Sequence, residues 1–338
     1  PADLRRPAAG GETMRLLLAL LLFPAAPAQA FLFGGASDKK AGADLEKMRS
    51  AFEAGDCSSV LELSPIFLHE KPPAAMREEA YGYMGRCYES AGATDKAISL
   101  YKLALGLYPE NMLFASRLAL IYNQAGFPEN AAPLFLNVLS IKSDDTDASL
   151  GLARAYAALG FLSRAKDFYS RTVILQDFLD QAVLREYALC MLRKRDWPEA
   201  LFIAGVGARA APLSAFWHLV EARVRAGQGD YRKALSAIET AILLEPSRQL
   251  RLERSLYLLL GRLPRRAMEA ADAELAADGK DALASAVKGM ALHSLGKRTE
   301  AAPYFAAARC GGRFTAEIAG SFLKNYGADA GTDELCKK

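Results

Sequence analysis

YGYMGRCYESAGATDKAISLYKLALGLYP, residues 81–109, contains one complete structural unit. Its apolar residues recur at intervals of three and four within 81–88 and again within 97–107, the pattern of two amphipathic helices. Gly92 falls between them and supplies the backbone freedom that a tight helix–helix turn needs. Gly85 and Ala97, one small residue on each helix, let the two axes approach, and Tyr101 fills the space beside that contact. Pro109 ends the second helix. The stretch predicts helix–turn–helix.

The unit recurs. Ala97 is followed by Ala131, Ala165, Ala200, Ala234, Ala267 and Ala301, at intervals of 34, 34, 35, 34, 33 and 34 residues. Twelve residues before each stands a second small residue: Gly85, Ala119, Ala153, Ala188, Ala222, Ser255 and Gly289. Glycine holds the turn at Gly92, Gly126, Gly160, Gly229 and Gly296. Two copies depart from the pattern. One places Arg195 in the turn, and the other has Arg262 there and Glu274 where a small residue belongs. A fixed period of this length marks a solenoid built from one repeated supersecondary unit. Such arrays present extended binding surfaces.

Small, Tyr, Gly, Ala, aromatic, small, Pro at these offsets resembles the tetratricopeptide repeat. In that family's 34-residue frame, seven units occupy 78–315: 78–111, 112–145, 146–179, 181–214, 215–247, 248–281 and 282–315. A degenerate copy at 41–74 keeps Gly55 and Pro72 but has Met48 and Val60 at the two small positions. The resemblance implies an all-α, right-handed superhelical solenoid of about eight antiparallel helix pairs. It also implies a C-terminal capping helix at 316–326, ahead of a polar tail at 327–338.

In this family the first helix of each unit lines the concave groove, where a protein or peptide partner binds. Carried over by frame position, the groove residues are Arg86, Asn123, Gln124, Arg154, Arg185, Arg193, Arg223, Leu256 and Leu260. Arginine runs along the middle, and leucines, with Leu252 and Met290, take over toward the carboxyl end. The chaperone-tail clamp of some members is not met, because Gly82 and Arg86 stand where Lys and Asn are needed.

The amino terminus points to export. Met14-Arg15 precedes the apolar run 16–23, and Ala28-Gln29-Ala30 ends it, a secretory signal peptide with cleavage expected after Ala30. Residues 1–13 read as an upstream extension, and 31–40 as a flexible linker. The apolar run falls short of the roughly 20 residues that span a bilayer.

The charges are nearly balanced, 42 basic against 39 acidic, so nothing favours nucleic acid. His69, His218 and His293 lie far apart, and no metal or cofactor is expected. Gly205-Val-Gly207 and Gly227-Gln-Gly229 lack the preceding strand of a phosphate loop. No nucleophile elbow or other catalytic motif is present, so no enzymatic activity is expected. Of five cysteines, Cys87 and Cys190 read as buried small side chains, whereas Cys310 and Cys336 are the candidates for a bridge. Arg251, Arg254, Arg262, Arg265 and Arg266 form a basic cluster that reads as solvated charge, with an acidic partner or a peripheral membrane contact as the rival.

These features imply an exported, non-enzymatic scaffold in an envelope assembly or secretion/export complex. A polysaccharide- or membrane-surface-associated adaptor, and a regulatory module of an enzyme complex, are the alternatives.

Overall fold

Residues 36–310 are described by the computed structural model, and among them every regular element is a helix. The chain divides into two units, one ending at Ala93 and one starting at Thr94. The first holds α1 (Ala36–Glu53), α2 (Cys57–His69) and α3 (Ala74–Ser90). The second holds α4 (Thr94–Leu107), α5 (Met112–Gln124), α6 (Pro128–Ile141), α7 (Thr146–Ala158), α8 (Leu162–Leu175), α9 (Gln181–Lys194) and α10 (Trp197–Ala210). It continues with α11 (Ala215–Gly227), α12 (Tyr231–Leu244), α13 (Arg248–Leu260), α14 (Pro264–Ala277), α15 (Ala282–Ser294) and α16 (Arg298–Cys310). Within each unit, consecutive helices pack on one another, and successive first helices also touch: α5 with α7, α9 with α11, α13 with α15.

Local chemistry explains where the helices start and stop. Asp56, Asn111, Asp145, Asp180, Asp230, Ser247 and Asp281 each accept a backbone N–H of the helix that follows. Proline opens α6, α10 and α14, where its missing N–H has no helical partner to lose. The turn after the first helix of each pair contains one residue with positive φ. Glycine holds that slot at 55, 92, 126, 160, 229 and 296 (φ 66–82°). Arg195 (φ 59°) and Arg262 (φ 61°) adopt the same left-handed conformation without being glycine. The geometry of the repeat therefore overrides their side chains.

The core lies where the period placed it. All seven marker alanines are fully buried, and so are Ala119, Ala153, Ala188, Ala222 and Ser255. Other glycines serve packing instead of turning, Gly151 and Gly207 most tightly. A Cβ on Gly151 would fall 2.2 Å from the Phe135 ring, and one on Gly207 would fall 2.2 Å from Trp217. Each bare backbone is the seat of an aromatic side chain from a neighbouring helix. In α1–α2, Met48 and Val60 occupy the small positions and are fully buried, so larger side chains fill that contact.

Two expectations need correcting. The residues read as a linker at 31–40 include the start of α1 at Ala36, where Asp38 meets the helix amino terminus. Cys87 is buried as expected but is not merely a small packed side chain: it is bonded to Cys57 across α2 and α3. Cys190 is free and buried. The signal peptide, the capping helix, the polar tail and the Cys310–Cys336 bridge fall outside the described residues. Among the described residues, no helix is long and apolar enough to cross a membrane.

Candidate binding face

The arginines expected on the first helices divide into two kinds. Arg154 on α7 makes a two-pronged contact with Glu186 on α9, both prongs at 2.8 Å. Arg223 on α11 does the same with Glu253 on α13, at 2.9 and 3.0 Å. These forks tie each first helix to the next. Hydrogen bonding to the carboxylate, opposed by burial, raises both guanidinium groups above the usual arginine value.

A tyrosine completes each contact. Tyr257 donates to Glu253, and Tyr169 donates to Glu186 at 3.4 Å. In the first unit Arg49 reaches Glu79 on α3 at 2.6 Å, and Tyr83 donates to the same oxygen. Burial, before the neighbouring carboxylates, pushes all three phenols upward. They therefore stay protonated and able to donate. The arginine–carboxylate–tyrosine trio recurs three times, and the sequence reading missed it. Its signal was present: a glutamate stands 30 or 32 residues after Arg49, Arg223 and Arg154.

The remaining arginines meet no carboxylate among the described residues. Arg185 lies over the Phe216 ring at 5.0 Å and donates to Ser214 Oγ at 3.2 Å. Arg193 donates to the Ala157 carbonyl at 3.2 Å. In the first unit, Arg86 lies over Phe52 at 4.7 Å. Arg185, Leu189 and Arg193 follow one another at intervals of four on α9, so they share a stripe, and all three are exposed.

The other expected residues are placed as follows. Asn123 donates to the Gly151 carbonyl at 2.8 Å and so joins α5 to α7. Gln124 is exposed. Leu256 is half-buried, and Leu260 is 55% exposed. Leu252 and Met290 sit in the core, at 4% exposure each, and do not line a surface. His293 is buried too. No group of three or more His, Cys, Asp or Glu that could hold a metal occurs among the described residues.

Models of the tetratricopeptide repeat match residues 80–111 and 219–282, so these stretches are tetratricopeptide repeats. The chain is similar to lipopolysaccharide assembly protein B of Escherichia coli K12, 26% identical over 176 residues, covering 48% of this chain and 44% of that protein. It is also similar to the tetratricopeptide repeat and J domain-containing co-chaperone DNJ1 of Fusarium oxysporum, 29% identical over 163 residues, covering 46% of this chain and 31% of that one. The chain thus spans less than half the length of either relative. Among solved structures, a tetratricopeptide repeat protein of Parabacteroides merdae aligns with TM-score 0.49 and 16% identity, covering 76% of this chain and all of that one. YrrB, described as having an unusual peptide-binding site, aligns with TM-score 0.47 and 19% identity, covering 51% of this chain and 88% of that one.

Proposed function

We propose that the protein is an exported, non-enzymatic scaffold that holds a protein segment against its first-helix face, within an envelope assembly or export complex. The stripe Arg185–Leu189–Arg193, with Phe216 beside it, carries the binding part of this reading. Two cations without carboxylate partners flank an exposed leucine on a rigid helix. Guanidinium forks suit the carboxylates and backbone carbonyls of a bound segment. Arg185 is already set in place by an aromatic face and a hydroxyl, so little ordering remains for binding to impose. Arg154 and Arg223 act as the frame: their carboxylate ties hold neighbouring first helices in register.

Export is supported by the Cys57–Cys87 bond, because disulfides persist in oxidising compartments. The signal-like segment at 14–30 and the partial likeness to an envelope assembly protein support it further.

The test is photo-crosslinking in the native envelope. A photoreactive residue at position 189 should capture a discrete partner. One at 243, where Leu243 is exposed on a second helix, should not. Arg185→Glu should abolish the crosslink from 189. Equal yields from both positions would sink the binding reading. Recovery of the protein only from the cytoplasm, with Cys57 and Cys87 reduced, would sink the export reading.

A further inference from the structure

The basic cluster near the carboxyl end resolves into two groups with different fates. Arg251 is held by Glu274, through Nε at 2.5 Å, and Arg254 by Glu239 at 3.1 Å. Arg262, Arg265 and Arg266 are exposed and meet no carboxylate among the described residues; Arg232 on the adjacent α12 is the same. Arg232 and Arg266 line a cleft of about 370 Å3 where the start of α12 faces the α13–α14 turn, and Arg262 and Arg265 stand beside Leu263 and Arg266 in the same turn. Tyr231, Arg232, Leu235, Leu263 and Arg266 line it, together with Glu239, which Arg254 already neutralises. Gly261 forms one wall and lets Tyr231 approach, since a Cβ there would come within 3.2 Å of the Tyr231 Cβ.

The placement of these cations runs against local stability. Arg232 lies in the first turn of α12, and Arg265 and Arg266 lie in the first turn of α14; neither turn contains an acidic residue. The amino-terminal end of a helix carries partial positive charge and disfavours further cations. Arg262 sits in the left-handed region, where a side chain is strained and six other pairs use glycine. Arg266 opposes stability and lines the cleft, Arg262 and Arg265 do so in the adjoining turn, and Arg232 faces them from the start of α12, behind the Asp230 cap. Sites that break local rules together are where function is expected.

We infer that this cleft docks an acidic segment of a partner protein. The partner's carboxylates meet Arg232 and Arg266 in the cleft and Arg262 and Arg265 in the turn beside it, and one of its apolar side chains enters against Leu235 and Leu263. The apolar lining decides between a peptide and a membrane. It lies inside a concavity that takes a side chain or two, and a planar bilayer cannot follow it in. This surface belongs to a helix–helix turn, is distinct from the α9 stripe, and does not depend on it.

The test uses the full chain and a fluorescein-labelled peptide of sequence EDLEDFE, with KKLKKFK as control, read by fluorescence polarisation at low salt. The acidic peptide should bind and the basic one should not. Neutralising the triad (Arg232→Gln, Arg265→Gln, Arg266→Gln) should weaken binding at least tenfold while raising the melting temperature, because it removes cations from two helix amino termini. A merely structural cluster would lower the melting temperature instead. Arg185→Glu should leave this binding unchanged, which separates the cleft from the α9 stripe. The inference is overturned by unchanged affinity in the triple variant or by loss of its fold. It is also overturned if the parent ignores the acidic peptide but binds vesicles containing phosphatidylserine.

Discussion

The pairs α7–α8 and α13–α14 have the same geometry and reach it with different residues. In α7–α8 every slot holds the expected residue: Ala153 and Ala165 at the helix contact, Gly160 in the turn, Tyr169 beside them. The neighbouring Phe135 then fits against the bare backbone of Gly151. In α13–α14, Ser255 takes the small slot and satisfies its buried hydroxyl on the Arg251 carbonyl at 2.9 Å. Glu274 takes another small slot, only 6% exposed, and is neutralised by Arg251. Arg262 adopts the turn that glycine would make freely. The first pair is stabilised by fit and the second by compensation. A repeat scaffold tolerates the second because contacts with both neighbours hold each pair in place.

That contrast can be broken most severely in the well-fitted pair. Gly151→Ala should destabilise the chain by about 3 kcal/mol, the upper range for overpacking, because the new methyl has no room beside the Phe135 ring. Gly289→Ala, where the nearest ring atom is 3.1 Å away, should cost clearly less. Urea unfolding followed by circular dichroism measures both, and equal costs would remove fit as the explanation.

The next largest effect belongs to the compensated pair. Arg251→Ala strands a buried carboxylate and should cost about 2 kcal/mol. That is below the ~3–5 kcal/mol of a fully buried pair, because Arg251 is 44% exposed. Glu274→Ala restores the small residue and should be close to neutral, and the double variant should recover most of the loss of Arg251→Ala. If Glu274→Ala costs as much as Arg251→Ala, the ion pair is a net source of stability rather than a compensation.

Smaller still is the turn. Arg262→Gly should stabilise the chain by about 1 kcal/mol by relieving the left-handed backbone, and Arg195→Gly should do the same. Gly160→Ala should lower stability by a similar amount. A destabilising Arg262→Gly would show that the side chain contributes to the fold.

The smallest effect is a pH dependence in α9–α10. A hydrogen bond from Lys166, against opposition from burial and with help from Lys194, holds the Asp196 carboxyl below its usual value of 3.8. A carboxylate depressed on folding contributes stability that is present above its unfolded value and is lost as pH falls through the folded one. Acid should therefore remove this contribution below about pH 4. Both partners are partly exposed, so its size should be under about 1 kcal/mol. Asp196→Asn should lower stability at neutral pH and converge with the parent in acid. Parallel pH curves for the two would count against the pairing.

Much of this was legible because burial follows spacing. Alanine at a fixed period can only mean a repeated close contact, so the all-helical fold could be read from the marker positions. The groove arginines were legible as residue types but not as roles. Arg154 and Arg185 both read as groove arginines in the repeat frame, and what distinguishes their roles is Glu186 on α9 and Phe216 on α11, each two helices further on. The Cys57–Cys87 bond escaped notice because its members lie 30 residues apart, with nothing local to pair them. Gly205-Val-Gly207 lies within α10, and the use of Gly207 as the seat of Trp217 required coordinates.

The sequence by itself determined the helix–turn–helix unit, its period, and the residues that must be buried, because these depend on backbone propensity and spacing along one chain. Only the tertiary structure decided which arginines are tied to carboxylates, that Arg195 and Arg262 take the glycine conformation, and that Arg232 and Arg266 line one cleft. Those outcomes depend on side chains about one repeat apart, and stacking of the helix pairs brings them together.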